Sequence, residues 1–294
     1  MKRISVLCLA ILLCIGMLAG CASEEAPVSS GTNSSEASQS ASEPQQSAEE
    51  SEGTSKETPT ESRDTSTGTP TVYMTTDISA EGLIAIYEAL HASPSGNITV
   101  KLSAGKPGSN YLRTDLIDDL VQSFDNPTIV ECNTVYSGQQ ANTAMHYQLA
   151  EDYGYTAIAD VDIMDENGSM TLPVTGGSMW GGDQDAFLES MAEAGKYVVD
   201  YLDGNILYIN VMNRLSVDCD CDGNPAEPDM HDIGILASFD PVAVDQACID
   251  LVYVAEDGDS LVQRIESRNG LYTLEHAEDI GLGSRTYELV SIDE

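Results

Sequence analysis

The sequence is short of positive charge. Lysine and arginine together number 12 of its 294 residues against 49 aspartates and glutamates, for a formal charge of −37 at pH 7. A chain this acidic is repelled by phosphate backbones and anionic lipid surfaces, which argues against a nucleic-acid partner. Cationic or neutral ligands and metal ions stay open, and much of the acid serves solubility. Several fingerprints are also missing. There is no G-x-S-x-G elbow, glycine-rich dinucleotide turn, ordered P-loop or H-E-x-x-H pair, so hydrolase, nicotinamide and zinc-protease readings have no support. The cysteines include neither a C-x-x-C pair nor a ferredoxin-like run. No internal repeat recurs at a fixed period, and no apolar run is a comfortable bilayer span.

The start of the chain is distinctive. Basic Lys2 and Arg3, an apolar stretch from Val6 to Leu18 and small residues before a cysteine follow the layout of a secretory signal. The tetrad Leu18-Ala19-Gly20-Cys21 resembles the bacterial lipobox. That resemblance implies removal of residues 1–20, lipidation of Cys21, and a membrane-anchored protein on the extracytoplasmic face of a bacterial envelope. Residues 21–69 are almost all Ser, Glu, Thr, Ala, Gln, Gly and Pro. With nothing apolar to offset the entropy of ordering, this segment reads as a disordered, self-repelling tether.

Residues 70–294 are long enough for one domain with a substantial core. Strand-like runs (TVYMTT, ITVKLSA, TIVEC, TAIADVDI, NILYINVM, DIGILAS, TYELVSI) alternate with helix-like ones. The helices are expected over 80–92, 114–124, 142–154, 183–202 and 241–255, with two shorter ones across 259–280 and a hairpin-like piece around Asn167-Gly168. Continuous Val, Ile and Leu strands between amphipathic helices predict an α/β domain with a mostly parallel sheet covered on both faces. Ligands of such sheets sit beyond the carboxyl ends of strands. The sequence places Cys132, the acidic run LSVDCDCDGNPAEPD (215–229) and Ser238-Phe239-Asp240 there.

Three readings of the acidic run compete. Asp218, Asp220 and Asp222 followed by Gly223, with Asp229 in twelfth place, match the start of a calcium loop, although a strand precedes it and Pro225 stiffens it. Cys219 and Cys221 could instead offer thiolates to zinc or iron, with Cys132 or a histidine completing the set. In the third reading the aspartates cap backbone amides and the cysteines are buried or oxidised with distant partners. His146, on a helix near the ligand end, is the one histidine with a functional position. Cys248, on an apolar helix face, reads as a small core residue, and Cys132 as strand-end filler more readily than as a ligand. The loop AGKPGSNYLR, with Lys106, Asn110, Tyr111 and Arg113, is either an anion-binding turn or a plain connection.

Several stretches taken together resemble a known family: GKPGSNYLR, TIVECNTVYSG, FLESMAEAGKYVVDY, ILYINVMNRLSVDCDCDGNPAEPD and DIGILASFDPVAVDQACIDLV. They are similar to the domain of unknown function 362 (DUF362), whose members are often labelled iron-sulfur-centre proteins. The resemblance extends over nearly all of 95–290 and brings no defined activity. By position it carries over Asn133, Tyr136, His146, Asp218, Cys219, Asp220, Cys221, Asp232, Asp240 and Asp245. Two departures stand out. The family's S-H-F-K-G-H and G-G-x-x-K-N stretch, with its cluster cysteines, is absent between Gly177 and Phe187, so no ferredoxin-type cluster is expected. Gln139-Gln140 also stand where two basic residues belong. The resulting expectation is a binding lipoprotein or a catalytically reduced family member. The alternatives are a thiolate or Fe-S-related redox-linked site across Asp218–Asp222 with His146, and a calcium-stabilised binding domain.

Overall fold

The computed structural model describes residues 4–10 by their backbone, and residues 68–133, 138–164, 183–218 and 222–293 in full. The expected hairpin around Asn167-Gly168, the tether, Cys21 and Tyr136 lie outside these residues. The strands are β1 Ile4–Ala10, β2 Thr71–Thr75, β3 Asn97–Lys101, β4 Thr128–Glu131, β5 Asp160–Ile163, β6 Ile206–Met212, β7 Gly234–Ser238 and β8 Glu288–Ser291. The helices are α1 Ala80–Ala89, α2 Thr114–Gln122, α3 Thr143–Asp152, α4 Tyr155–Ile158, α5 Gln184–Tyr201, α6 Pro241–Val254, α7 Asp259–Ser267 and α8 Leu271–Asp279, and a 3₁₀ turn spans Gln139–Ala141.

Helix starts follow capping chemistry. Ser79 accepts from the Gly82 amide, Asn142 from Met145 and Asp240 from Ala243, each satisfying an amide that the first turn leaves unpaired. Pro241 follows Asp240 at the start of α6, where its missing N–H costs nothing.

The strands join in one sheet in the order β5-β4-β3-β1-β6-β7-β2-β8. From β5 through β6 all pairings are parallel, β7 runs antiparallel to both β6 and β2, and β8 is parallel to β2. Side chains of β6 and β7 separate by the period-two rule. Leu207, Ile209, Val211, Ile235 and Ala237 enter one apolar cluster with Leu83 and Ile86 of α1 and Ile117 and Leu120 of α2. Met212 and Leu236 enter another with Val244 and Ala247 of α6 and Leu261 of α7. The sheet is therefore covered on both faces, as an α/β pattern of doubly buried strands requires.

Two sequence expectations change. Residues 156–158 of TAIADVDI complete the helical turn α4 and only Asp160–Ile163 form a strand. Gly154 precedes the turn in a left-handed conformation, φ 82°, and starts it one residue ahead of an aromatic and β-branched run that reads equally well as strand. Second, β7 ends at the opposite rim from the acidic run. In the β6–β7 register Met212 faces Gly234 while Ser238 faces Tyr208, so Ser238-Phe239-Asp240 does not share a rim with residues 213–232. An apolar strand has no direction that its sequence reveals. Ile4–Ala10, part of the stretch with the layout of an export leader, pairs as a central strand between β3 and β6. A short all-apolar run fits a buried parallel strand as well as a leader core.

Candidate functional site

Parallel strands β3, β4 and β6 end at the same rim, and the segments that leave them meet there. The loop after β3 is fixed first. Glu131, buried at the end of β4, forms an ion pair of 3.3 Å with Lys101 and accepts from the Ala104 amide. A buried carboxylate needs this pairing, because unpaired burial of a charge costs several kcal/mol. The far end of the loop rests on the α3–α4 turn. Tyr111 stacks on Tyr153 with ring centroids 3.7 Å apart, Tyr155 Oη donates to the Leu112 carbonyl at 2.6 Å, and Thr114 Oγ1 donates to the Tyr153 carbonyl. Burial, then the neighbouring Tyr111 and Asp152, push the Tyr153 phenol up to about 12.

The second and third segments pack against this loop. Gln140 Nε2 donates to the Gly105 carbonyl at 2.7 Å, and a methyl group on Gly138 would stand 3.6 Å from Lys106 Cε. Asn110 Nδ2 reaches the Arg214 carbonyl at 3.1 Å. Gly108 and Gly223 approach so closely that a β-carbon on Gly108 would fall 2.4 Å from the Gly223 carbonyl oxygen. Residues 102–113 and 138–142 and the described residues of 213–232 therefore form one cluster, with Lys106 between Gly138 and Gly223.

The acidic run is a long connection between antiparallel strands, and its described aspartates are bonded. Asp218 Oδ2 accepts from the Ala226 amide at 2.9 Å, and its Oδ1 lies 3.4 Å from Arg264 Nη2. Asp222 accepts from the Asn224 amide at 2.9 Å, Asp229 from Ser260 Oγ at 2.6 Å, and Asp232 from the Arg214 amide at 2.6 Å. These are the amide-capping duties of the third sequence reading, and they leave fewer free oxygens for a calcium shell. Cys219, Asp220 and Cys221 lie outside the described residues. Among the described residues no group of three His, Cys, Asp or Glu side chains is placed to hold a metal ion.

His146 is buried in α3, and its tautomer follows from its neighbours. Asn133 Nδ2 donates to Thr143 Oγ1 at 2.8 Å, which turns Asn133 Oδ1 towards His146 Nδ1 at 3.2 Å. Nδ1 then carries the proton and Nε2 keeps its lone pair. Burial, assisted by Lys101, lowers the pKa of the ring, so it stays neutral. Nε2 has no hydrogen-bond partner among the described residues, nor do the buried Ser109 Oγ and Gln139 Oε1. Cys132, at the end of β4, is half-buried.

Two carried-over aspartates lie elsewhere. Asp240 caps α6 and also accepts from the Ser284 amide at 3.0 Å. Burial raises its pKa, against the pull of these amides. Asp245, on α6, accepts from Asn210 Nδ2 at 2.7 Å, and the same amide nitrogen lies 3.6 Å from the buried Cys248 Sγ. Desolvation pushes the Asp245 carboxyl up to about 7, despite the Asn210 hydrogen bond, and burial also raises the Cys248 thiol. The sequence reading of Cys248 as a core residue agrees with its place among Val244, Ala247 and Val252.

Sequence reasoning missed Glu131, Ser109 and Asn210. A charged residue ending the apolar run Thr128–Glu131, and an asparagine inside ILYINVM, are the signals that could have found two of them, since such residues are buried only when paired. Ser109 gave no signal.

No helix among the described residues is long and apolar enough to cross a membrane. No curated protein and no solved structure matches the chain. Residues 169–250 match the family model described as Domain of unknown function (DUF362), which agrees with the motif resemblance. The matched stretch runs from ahead of α5 through β6, the acidic run and β7 into α6.

Proposed function

We propose that this protein is a membrane-anchored extracytoplasmic lipoprotein whose DUF362 domain binds a ligand at the rim built by residues 102–113, 138–142 and 213–232, without turnover of its own. One observation carries the reading. Three buried polar atoms at or beside this rim, Ser109 Oγ, Gln139 Oε1 and His146 Nε2, lack partners among the described residues, while every described aspartate of the acidic run is already bonded. Buried polar atoms are ordinarily satisfied, and a bound polar ligand is one way to satisfy them. The absence of the S-H-F-K-G-H stretch and the presence of Gln139-Gln140 in place of basic residues support binding without catalysis. Cys21 supplies the anchor.

A thiolate metal site is the second reading, favoured by the closely spaced Cys219 and Cys221 of the sequence. His146 Nε2, without a hydrogen-bond partner among the described residues, is a further candidate donor. Elemental analysis by mass spectrometry of protein purified without oxygen or chelator separates the two. The binding reading expects no stoichiometric metal, and no change when Cys219 and Cys221 are both replaced by serine. Near-stoichiometric zinc or iron lost in that double variant would replace it with the thiolate site, and calcium alone would move the case to the aspartates.

A further inference from the structure

β1 occupies an unusual position for the first strand of a chain. It lies in the middle of the sheet, parallel to both neighbours, with Ile4–Cys8 in register with Asn97–Lys101 and Val6–Ala10 in register with Ile206–Asn210. Val6, Leu7 and Cys8 are paired on both sides. No other described strand bridges β3 and β6. Strands in a sheet stand about 4.8 Å apart, so removing β1 leaves its two neighbours about twice that distance from one another, each with a row of unpaired backbone N–H and C=O groups. The sequence Ile-Ser-Val-Leu-Cys-Leu-Ala is also the core of the stretch that carries the layout of an export leader.

We propose that the gap between β3 and β6 is a strand-accepting slot whose occupant is this chain's own Ile4–Ala10, held in the unprocessed chain and given up when processing ahead of Cys21 removes it. The slot is selective by geometry. Both walls run in the same direction, so it takes one extended segment in parallel orientation. β6 is buried along nearly its whole length, so the segment must be apolar throughout. The leader thereby has two alternative engagements, with the sheet or with the export machinery. The processing half of this statement rests on the lipoprotein reading, whereas the slot itself rests on the strand register alone.

Hydrogen–deuterium exchange tests the slot. The full chain, made by cell-free synthesis so that its leader is retained, is compared with the same chain carrying Leu7→Pro, which removes a ladder donor and breaks a central strand. The amides of β3 and β6 are expected to exchange about tenfold faster or more in the variant. A chain beginning at Cys21 is expected to show the same loss, and a synthetic peptide of residues 4–10, but not a scrambled one, restores protection to β3 and β6. If these amides are as protected in the chain beginning at Cys21 as in the full chain, the two strands close on each other and the slot does not exist. If protection is lost and the peptide fails to restore it, the proposal is equally overturned. The intact mass of protein extracted from the envelope reads the processing half separately, because it shows whether the chain starts at Met1 or at a lipidated Cys21 whatever the exchange data say.

Discussion

Asp245 is a half-buried carboxyl group on α6, beside Asn210 and Cys248. With its pKa pushed up to about 7, the folded protein retains a proton that the unfolded chain releases near the ordinary value of 3.8. Between these values the folded state binds more protons, so this group's contribution to stability falls as pH rises from about 4 to about 7 and is flat above. Asp245→Asn removes that loss. Because the side chain is partly exposed, the gain is discounted to about 1–2 kcal/mol. The variant is expected to melt higher than the parent at about pH 8 and equally at about pH 4, as thermal denaturation across a pH series would show. His146 acts in the opposite sense. Its folded pKa lies below 6.5, so below about pH 6.5 the unfolded chain takes up a proton that the folded chain refuses, and stability drops as the pH falls. His146→Gln is expected to flatten this acid limb while leaving the neutral range little changed. An acid limb as steep as the parent's would show that His146 does not carry it.

At the scale of elements, the contact between the loop after β3 and the acidic run is the joint on which the candidate site depends. Gly108 sits at φ 93° with its α-carbon against the Gly223 carbonyl, a conformation and a spacing that suit a residue without a side chain. Gly108→Ala is expected to cost about 1–3 kcal/mol, and the damage should centre on the two loops. Limited proteolysis should cut within residues 102–113 or 213–232 well before the helices are touched; uniform cleavage would mean the joint is not local. Most of this architecture was readable beforehand. Ser79, Asn142 and Asp240 announce helix starts, and ILYINVM and GILAS announce doubly buried strands. Direction was not readable: nothing in GILAS says that it runs against β6, so Asp240 was assigned to the wrong rim. The site was half-legible. Its loops and His146 were found, whereas the bonding of Asp218, Asp222, Asp229 and Asp232 depends on partners such as Arg264 and Ser260 that are remote in sequence.

For the whole molecule, the place of β1 sets the order in which the sheet can close. Ile4–Ala10 leaves the ribosome ahead of both its partners, one of which begins at Asn97 and the other only at Ile206. At typical synthesis rates of about 5–20 residues per second, the second wall of the slot follows on the order of ten seconds or more after the strand that fills it. Pairings this distant along the chain also form slowly, because loop closure comes before any reward from contact. Throughout that interval the apolar segment is unclaimed by the sheet, and whichever binder reaches it first decides its fate. The central strand is thus a timer: the eight-stranded sheet can shut around it only once Ile206–Asn210 has been made.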